Sequence, residues 1–490
     1  MTGSDGAGGY EFKTVPDEYQ RATLRASWDK PFWALFLEMG LGKTKILVDN
    51  ACALFERGRI ASMLVVAPKG VVRNWTDREI PLHAPDRIQI HAAYWRASAL
   101  KDERAAIEAV MQPDPRTLKV FVMNVDAFTT SRGREAAERF VKAHGPCFMA
   151  VDESTRIKSG QAARTKAIIK IGRLCDYRRI ASGLPDPKDP LDLYSQVEFL
   201  TTRPFGFTSY YAFRARYGVV VSCTRGDGRA FKQVVGFRAL PELREKLAKF
   251  STRLTKADCL ELPPKLYQRR EVELTDEQRR LYEEMRRASV AELSSGELVT
   301  APRAITKLLR LHQIVCGIVP ADDEAEARRL ESNRIAALLE VIEETPSKVI
   351  VWATYRWNIR EVCDALAKEH GPESVAHYYG DTSDEDREQA IRRFQDPADP
   401  LRFFVANPKT GGEGLTLTEG TTVVYFSNSH DLGERAQSED RSHRRGQRNV
   451  VTYVDLVAPG TVDEKILLAL RQKINLSAEV LGDAWREWVV

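Results

Sequence analysis

Seven cysteines in 490 residues, at positions 52, 147, 175, 223, 259, 316 and 363, include no Cys-x-x-Cys pair. That scatter argues against a disulfide framework and against a thiolate zinc site, and predicts reduced thiols. Long apolar runs are missing too. FWALFL and MLVVA are far too short to span a bilayer, so no membrane partner is expected. Charge of one sign is lacking: 73 basic and 69 acidic residues leave only +4. Any nucleic-acid surface must therefore be local. The opening MTGSDGAGGY has no apolar signal core and reads as part of a disordered tail, residues 1–13, of a cytosolic protein. No His-x-Glu with Pro-Cys-x-x-Cys marks a deaminase. What is present is an ordinary globular composition, 43% hydrophobic and 29% charged, long enough for two or more domains.

Short apolar runs alternate with stretches of helical periodicity. FWALFL (32–37), MLVVAP (63–68), KVFVMN (119–124), CFMAVDES (147–154) and RRIASG (178–183) read as buried parallel strands, spaced widely enough for crossover helices. From about 188 to 330 the chain is charged and helical, with little strand pattern, and ADDEAEARRLES (321–332) reads as a polar connection. The strand rhythm restarts with KVIVWATY (348–355), SVAHYYG (374–380), RFFVAN (402–407), TTVVYFSN (421–428) and VTYVDLVAP (451–459). The expectation is an α/β chain of two doubly wound parallel-sheet lobes with a helical insertion.

The stretch LEMGLGKTK (37–45) sits between a strand and a helix. Its Gly42-Lys43-Thr44 matches the end of a phosphate-binding loop, although position 37 is Leu where that pattern has glycine. Backbone amides of Gly40 to Thr44, Leu41 included, suit a β-phosphate; Lys43 suits the β/γ oxygens and Thr44 a magnesium ion. The matching acidic pair ends a strand: Asp152 for magnesium, Glu153 to orient or deprotonate an attacking water. QSEDRSHRRGQR (437–448) offers positive charge for a transition state. Arg441 and Arg444 are three apart and would share a face on a helix. The alternative for that stretch is a solvated basic helix.

Taken in order, these blocks resemble the Swi/Snf-type branch of the superfamily-two helicase-like ATPases. EMGLGKT without the first glycine is that family's own loop. VVAPKGVVRNW (65–75), VDES (151–154), SGLP (182–185), VIVWATY (349–355), GGEGLTL (411–417) and QSEDRSHRRGQ (437–447) follow in the family's order. STRLTKADCLELPPK (251–265) and KLLRLHQIVCG (307–317) resemble its Arg/Lys-rich segment and leucine-arginine helix. The resemblance implies two RecA-like lobes, with ATP as substrate and Mg2+ as cofactor. It implies adenine recognition by Gln20, a nucleotide contact from Gln437, and arginine fingers at Arg441 and Arg444. Lobe one would span 14–187, the protrusion and connection 188–330, lobe two 331–475 and a tail 476–490. Three departures bear on coupling rather than on hydrolysis. The usual Asp-Glu-Ala-His is Asp152-Glu153-Ser154-Thr155, Gly-Thr-Pro is Gly183-Leu184-Pro185, and Trp-Asn-Pro is missing from SNSHDLGERAQ.

From Arg156 to Arg179 there are eight basic residues and one acid, Asp176. This suits either a solvated helix face or a surface that tracks phosphates. The resemblance favours double-stranded DNA read through its backbone, with Arg164, Lys166 and Lys170 as contacts. Lys69 and Thr410 match phosphate-contacting motifs. Protein partners stay unidentified. The expected activity is DNA-dependent ATP hydrolysis driving translocation along duplex DNA. The alternatives are strand separation or annealing, and a nucleotide-gated clamp with slow hydrolysis, against which Glu153 and the paired arginines argue. A near-minimal motor in the cytoplasm of a bacterial or phage-infected cell is the expected setting.

Overall fold

The computed structural model describes residues 9–186, 189–224, 230–294, 301–319, 328–411, 415–481 and 483. The strands are β1 (Phe32–Leu37), β2 (Ser62–Ala67), β3 (Ile90–Tyr94), β4 (Leu118–Asn124), β5 (Cys147–Asp152), β6 (Tyr177–Ala181), β7 (Gly218–Thr224), β8 (Ala230–Phe237) and β9 (Ser251–Leu254). They continue with β10 (Lys265–Glu271), β11 (Ile318–Val319), β12 (Arg328–Arg329), β13 (Lys348–Trp352), β14 (Val375–Tyr378), β15 (Phe403–Ala406), β16 (Gly420–Tyr425) and β17 (Val451–Val457). The chain divides into two compact units. Unit one holds residues 1–219, 236–261 and 476–484, and unit two holds 220–235, 262–475 and 485–490.

Unit one is built on a seven-stranded parallel sheet in the order β3-β4-β2-β5-β6-β1-β9. β2 and β5 are buried at every position because both faces of the sheet are covered. Leu35, Leu37, Met63, Val65, Val120 and Phe148 pack on one side with the helix Lys43–Glu56. The alternate residues Phe36, Leu64, Phe121 and Met149 are buried as well. Continuous apolar runs thus reflect burial on two faces rather than a helix.

Unit two repeats the plan with six parallel strands, β10-β17-β16-β13-β15-β14. Val349 and Val351 of β13 point into one core, Ile350 and Trp352 into the other. The doubly wound α/β expectation is met in both units.

Residues 188–330 differ from the expected helical protrusion. They do carry the helices Asp276–Ser294 and Ala301–Val315. They also carry an isolated β7–β8 ribbon, and they supply an edge strand to each sheet, β9 beside β1 and β10 beside β17. Edge strands need only one apolar face, so β9 (STRL) and β10 (KLYQRRE) lack the continuous runs that mark central strands. β3 (IHAAY) was missed for the same reason. Within the polar connection at 321–332, residues 321–327 lie outside the described residues, and Arg328–Arg329 pair with β11. Parts of both expected tails, 1–13 and 476–490, are among the described residues. Residues 1–8 lie outside the described residues, but Tyr10 is buried and its hydroxyl reaches Asp49 at 3.1 Å. At the other end a helix spans Val462–Leu481.

Candidate functional site

In a parallel sheet every strand ends on the same edge. The carboxyl ends of β1, β2, β5 and β6 therefore bring the 38–44 loop, Lys69, Asp152–Glu153 and the SGLP segment to one side of unit one. Gly40 and Gly42 take positive φ, +82° and +75°, a backbone open to glycine at no cost. Gly42 caps the fourteen-residue helix Lys43–Glu56, whose first amides face out of the loop. A Cβ on Gly42 would collide with the Gln20 amide nitrogen. That amide donates to the Leu41 carbonyl at 3.2 Å, and its oxygen accepts the Asp17 amide at 3.0 Å. Gln20 thus braces the loop from the helix Glu18–Ser27. The Lys43 ammonium is buried against the Leu37 carbonyl at 3.0 Å, and Thr44 is half-buried.

Asp152 ends β5 in a closed setting. Burial pushes its carboxyl above its ordinary value, against the pull of the Lys43 charge, the Trp75 indole and the Glu153 amide. Trp75 Nε1 donates to Oδ2 at 3.2 Å, and the Glu153 amide donates to Oδ1 at 3.1 Å. Trp75 belongs to the VVRNW block but had been given no role; a buried tryptophan needs an acceptor for its N–H, and this carboxylate is it. Glu153 stands at φ 50°, ψ 61°, a left-handed conformation uncommon outside glycine. The Ser154 hydroxyl, where the resembled family has alanine, donates to Gln196 Oε1 at 2.7 Å.

The 156–179 run does not form one basic surface. Arg179 is fully buried, bonded to Asn50 Oδ1 at 3.0 Å and the Ser27 carbonyl at 2.7 Å, and burial pulls its guanidinium down to about 9. It lies in β6, a central strand in which Arg179, Ile180 and Ala181 are all buried. Arg164 pairs with Asp126 at 2.9 Å, whereas Lys166 and Lys170 are exposed on one side of the helix Ala163–Gly172. Lys69 is exposed in the turn after β2.

Arg441, Arg444, Gln437 and Thr410 belong to unit two. The two arginines are not on a helix as expected. The helix Leu432–Glu439 stops before them: the Arg441 and Ser442 amides turn back to the Ser438 and Glu439 carbonyls, both at 3.3 Å, and the Arg441 carbonyl accepts from the Leu417 amide at 2.8 Å. Both guanidiniums nevertheless converge on the Leu415 carbonyl, at 3.2 Å from Arg441 and 2.9 Å from Arg444. Arg441 is buried and Arg444 half-buried. Of GGEGLTL, residues 412–414 lie outside the described residues. Thr410 is half-buried in the short helix Pro408–Gly411.

A second group, unseen in the sequence, holds the arginine segment. Lys265, the lysine of Leu-Pro-Pro-Lys, donates to Glu439 Oε2 at 2.8 Å, and the Tyr267 hydroxyl donates to the same oxygen at 2.9 Å. Arg435 Nε donates to Glu439 Oε1 at 2.9 Å and Arg435 pairs with Asp455. Burial pushes the Glu439 carboxyl up, but the Lys265 and Arg435 charges outweigh it and hold it at about 2. Among the described residues no cluster of three His, Cys, Asp or Glu could hold a metal by itself, and no helix is long and apolar enough to cross a membrane.

The SNF2-related domain family matches residues 34–318, more than half of the chain, and the helicase conserved C-terminal domain matches residues 333–446. A putative ATP-dependent helicase/translocase of Bacillus subtilis is 25% identical over 474 residues, covering 92% of this chain and 48% of the relative. An uncharacterized ATP-dependent helicase of Mycoplasma genitalium is 24% identical over 467 residues, covering 94% and 41%. A DNA repair and recombination protein of Oryza sativa is 24% identical over 473 residues, covering 88% and 47%. The chain thus spans about half the length of these curated relatives or less. Among solved structures, the Sulfolobus solfataricus SWI2/SNF2 ATPase core with double-stranded DNA aligns over 97% of this chain and 95% of its own, at 23% identity and a TM-score of 0.42.

Proposed function

The chain belongs to the SNF2-related family, and from that premise we propose that it is a DNA-dependent ATPase that couples hydrolysis to translocation along duplex DNA, remodelling DNA or protein–DNA complexes. One observation carries the reading. A glycine-shaped loop capping a long helix shares a sheet edge with a buried aspartate and a glutamate held in a left-handed turn.

In this reading the amides of Gly40 to Thr44 cradle phosphate oxygens at the helix N-terminus, and Lys43 leaves the Leu37 carbonyl for the β/γ oxygens. Gln20 recognises adenine, and Gln437 contributes a further contact. Thr44 and Asp152 would hold magnesium. The pair fits a hard cation, since one donor is a hydroxyl oxygen and the other a carboxylate oxygen at the end of β5. Magnesium held there neutralises charge on the phosphate oxygens. Trp75 fixes the Asp152 carboxyl, and Glu153 orients or deprotonates the attacking water. Arg441 and Arg444 supply positive charge to the transition state after giving up the Leu415 carbonyl. Lys69, Lys166, Lys170 and Thr410 meet DNA phosphates; Arg164 joins them by releasing Asp126.

The test is the ATPase rate without nucleic acid and with single-stranded DNA, duplex DNA or RNA. Duplex DNA should stimulate most, and a rate indifferent to duplex would overturn the proposal. Strand separation is a second reading, favoured by the β7–β8 ribbon with its exposed Val221, Phe231 and Val235. Release of a labelled strand from a forked duplex distinguishes it from translocation alone.

A further inference from the structure

The turn that presents Glu153 is tied down by a side chain outside every motif quoted above. Gln196 sits in the helix Leu193–Leu200 with no exposed surface. Both ends of its amide are in use. Oε1 accepts the Ser154 hydroxyl at 2.7 Å, while Nε2 donates to the Pro185 carbonyl at 2.6 Å and the Asp192 carbonyl at 2.9 Å. Ser154 is itself fully buried and directly follows Glu153. Pro185 closes the SGLP segment, which leaves β6 beside the end of β5 at the Asp152–Ala181 register pair. One rigid, planar amide therefore joins the glutamate turn to the SGLP loop.

Packing alone does not call for glutamine there. Burying an amide is costly unless all its groups are bonded, and an apolar residue would fill the space without that risk. A φ of 50° is costly for a glutamate, so the bonds around the turn must hold it there. We propose that Gln196 is a positioning residue for hydrolysis: with Ser154 it forms a relay that passes displacements of the Pro185 carbonyl to the Glu153 carboxylate. The relay is a polar link between two segments that each depart from the resembled family, serine for alanine in one and leucine for threonine in the other. The inference rests on the nucleotide-hydrolysis reading above.

The experiment compares Ser154→Ala, Gln196→Leu and the double variant with wild type. Each single change should lower DNA-stimulated kcat about tenfold, the scale of one buried hydrogen bond, with KM for ATP little changed. The double variant should fall no further, because both residues serve one path. Additive losses, or a KM that rises as kcat falls, would reduce Gln196 to packing. Hydrogen exchange with and without ATPγS separates the two levels of inference. In wild type the nucleotide should protect residues 40–44, 152–157 and 182–186. In Gln196→Leu, protection at 182–186 should be lost while that at 40–44 persists. An equal response at 182–186 in variant and wild type overturns the relay and leaves the nucleotide site standing. No protection at 40–44 in wild type overturns the nucleotide site, and the relay with it. Should Gln196→Leu fail to fold, Ser154→Ala cuts the same bridge by removing a single hydroxyl and carries the same comparison.

Discussion

Replacing Lys265 with methionine should destabilise unit two by about 1.5–3 kcal/mol at pH 7, because it removes one of the two cations that hold a buried carboxylate ionised. The estimate follows from Glu439. Its carboxyl ordinarily titrates near 4.5 and is held at about 2. That difference, at about 1.4 kcal/mol per unit, is about 3 kcal/mol of stabilisation, shared by Lys265 and Arg435. Because the folded value lies below the unfolded one, this contribution is fully present above pH 4.5 and is lost as pH falls toward 2. Methionine keeps the length of the stem and removes the charge, leaving Arg435 to serve both Glu439 and Asp455. Urea unfolding of wild type and Lys265→Met at pH 7, 5, 4 and 3, followed by fluorescence, measures the gap. Trp352, buried in the core of unit two, is one of the reporters. The gap should be widest at pH 7 and narrow between pH 5 and pH 3. Adding Glu439→Gln should recover most of the loss. A cost under about 1 kcal/mol at pH 7, the scale of an exposed pair, refutes the reasoning, as does a gap that ignores pH.

Lys43→Ala should abolish turnover, while Glu153→Gln should retain ATP and trap it unhydrolysed; single-turnover assays beside nucleotide binding tell them apart, and a Glu153→Gln protein that no longer binds ATP would make Glu153 structural. Gly42→Ala should weaken nucleotide binding sharply, since its Cβ meets Gln20 and its φ of +75° penalises alanine; calorimetric titration with ATP giving wild-type affinity would remove Gln20 as the brace. Neutralising Lys166 and Lys170 together should flatten the salt dependence of duplex binding by about two in log–log slope, and an unchanged slope returns that helix face to solvent. Arg444→Ala should cut DNA-stimulated turnover by about a thousandfold with ATP affinity nearly intact, and lysine should not fully rescue it; undiminished stimulation would exclude the finger role.

The central strands were legible because each is buried on both faces and so reads as an unbroken apolar run, as in MLVVAP and KVFVMN. β3, β9 and β10 were not, because these edge strands place polar or small side chains among their apolar ones, whereas the edge strand β14 still shows in SVAHYYG. The motif residues were legible for a related reason. Gly42, Lys43, Asp152 and Glu153 are contiguous with the strand ends that carry them, so local order alone puts them at one sheet edge. The basic run at 156–179 was legible only in part, because composition does not record direction. Arg179 points inward from β6 to Asn50, Lys166 and Lys170 point outward, and nothing in their chemistry distinguishes them.

By itself, the sequence determined the two parallel sheets, the placing of the glycine loop and the acidic pair at strand ends, and the family. These rest on periodicity and on short spacings, which a linear chain carries without folding. Only the tertiary structure decided which neighbours hold those residues in place. Trp75 reaches Asp152 across 77 positions, Ser154 reaches Gln196 across 42, and Lys265 reaches Glu439 across 174. Each pair is a buried polar group meeting a distant partner that helps offset its desolvation. Such a match is set by where the backbone brings two distant segments together, and no spacing in the chain encodes it.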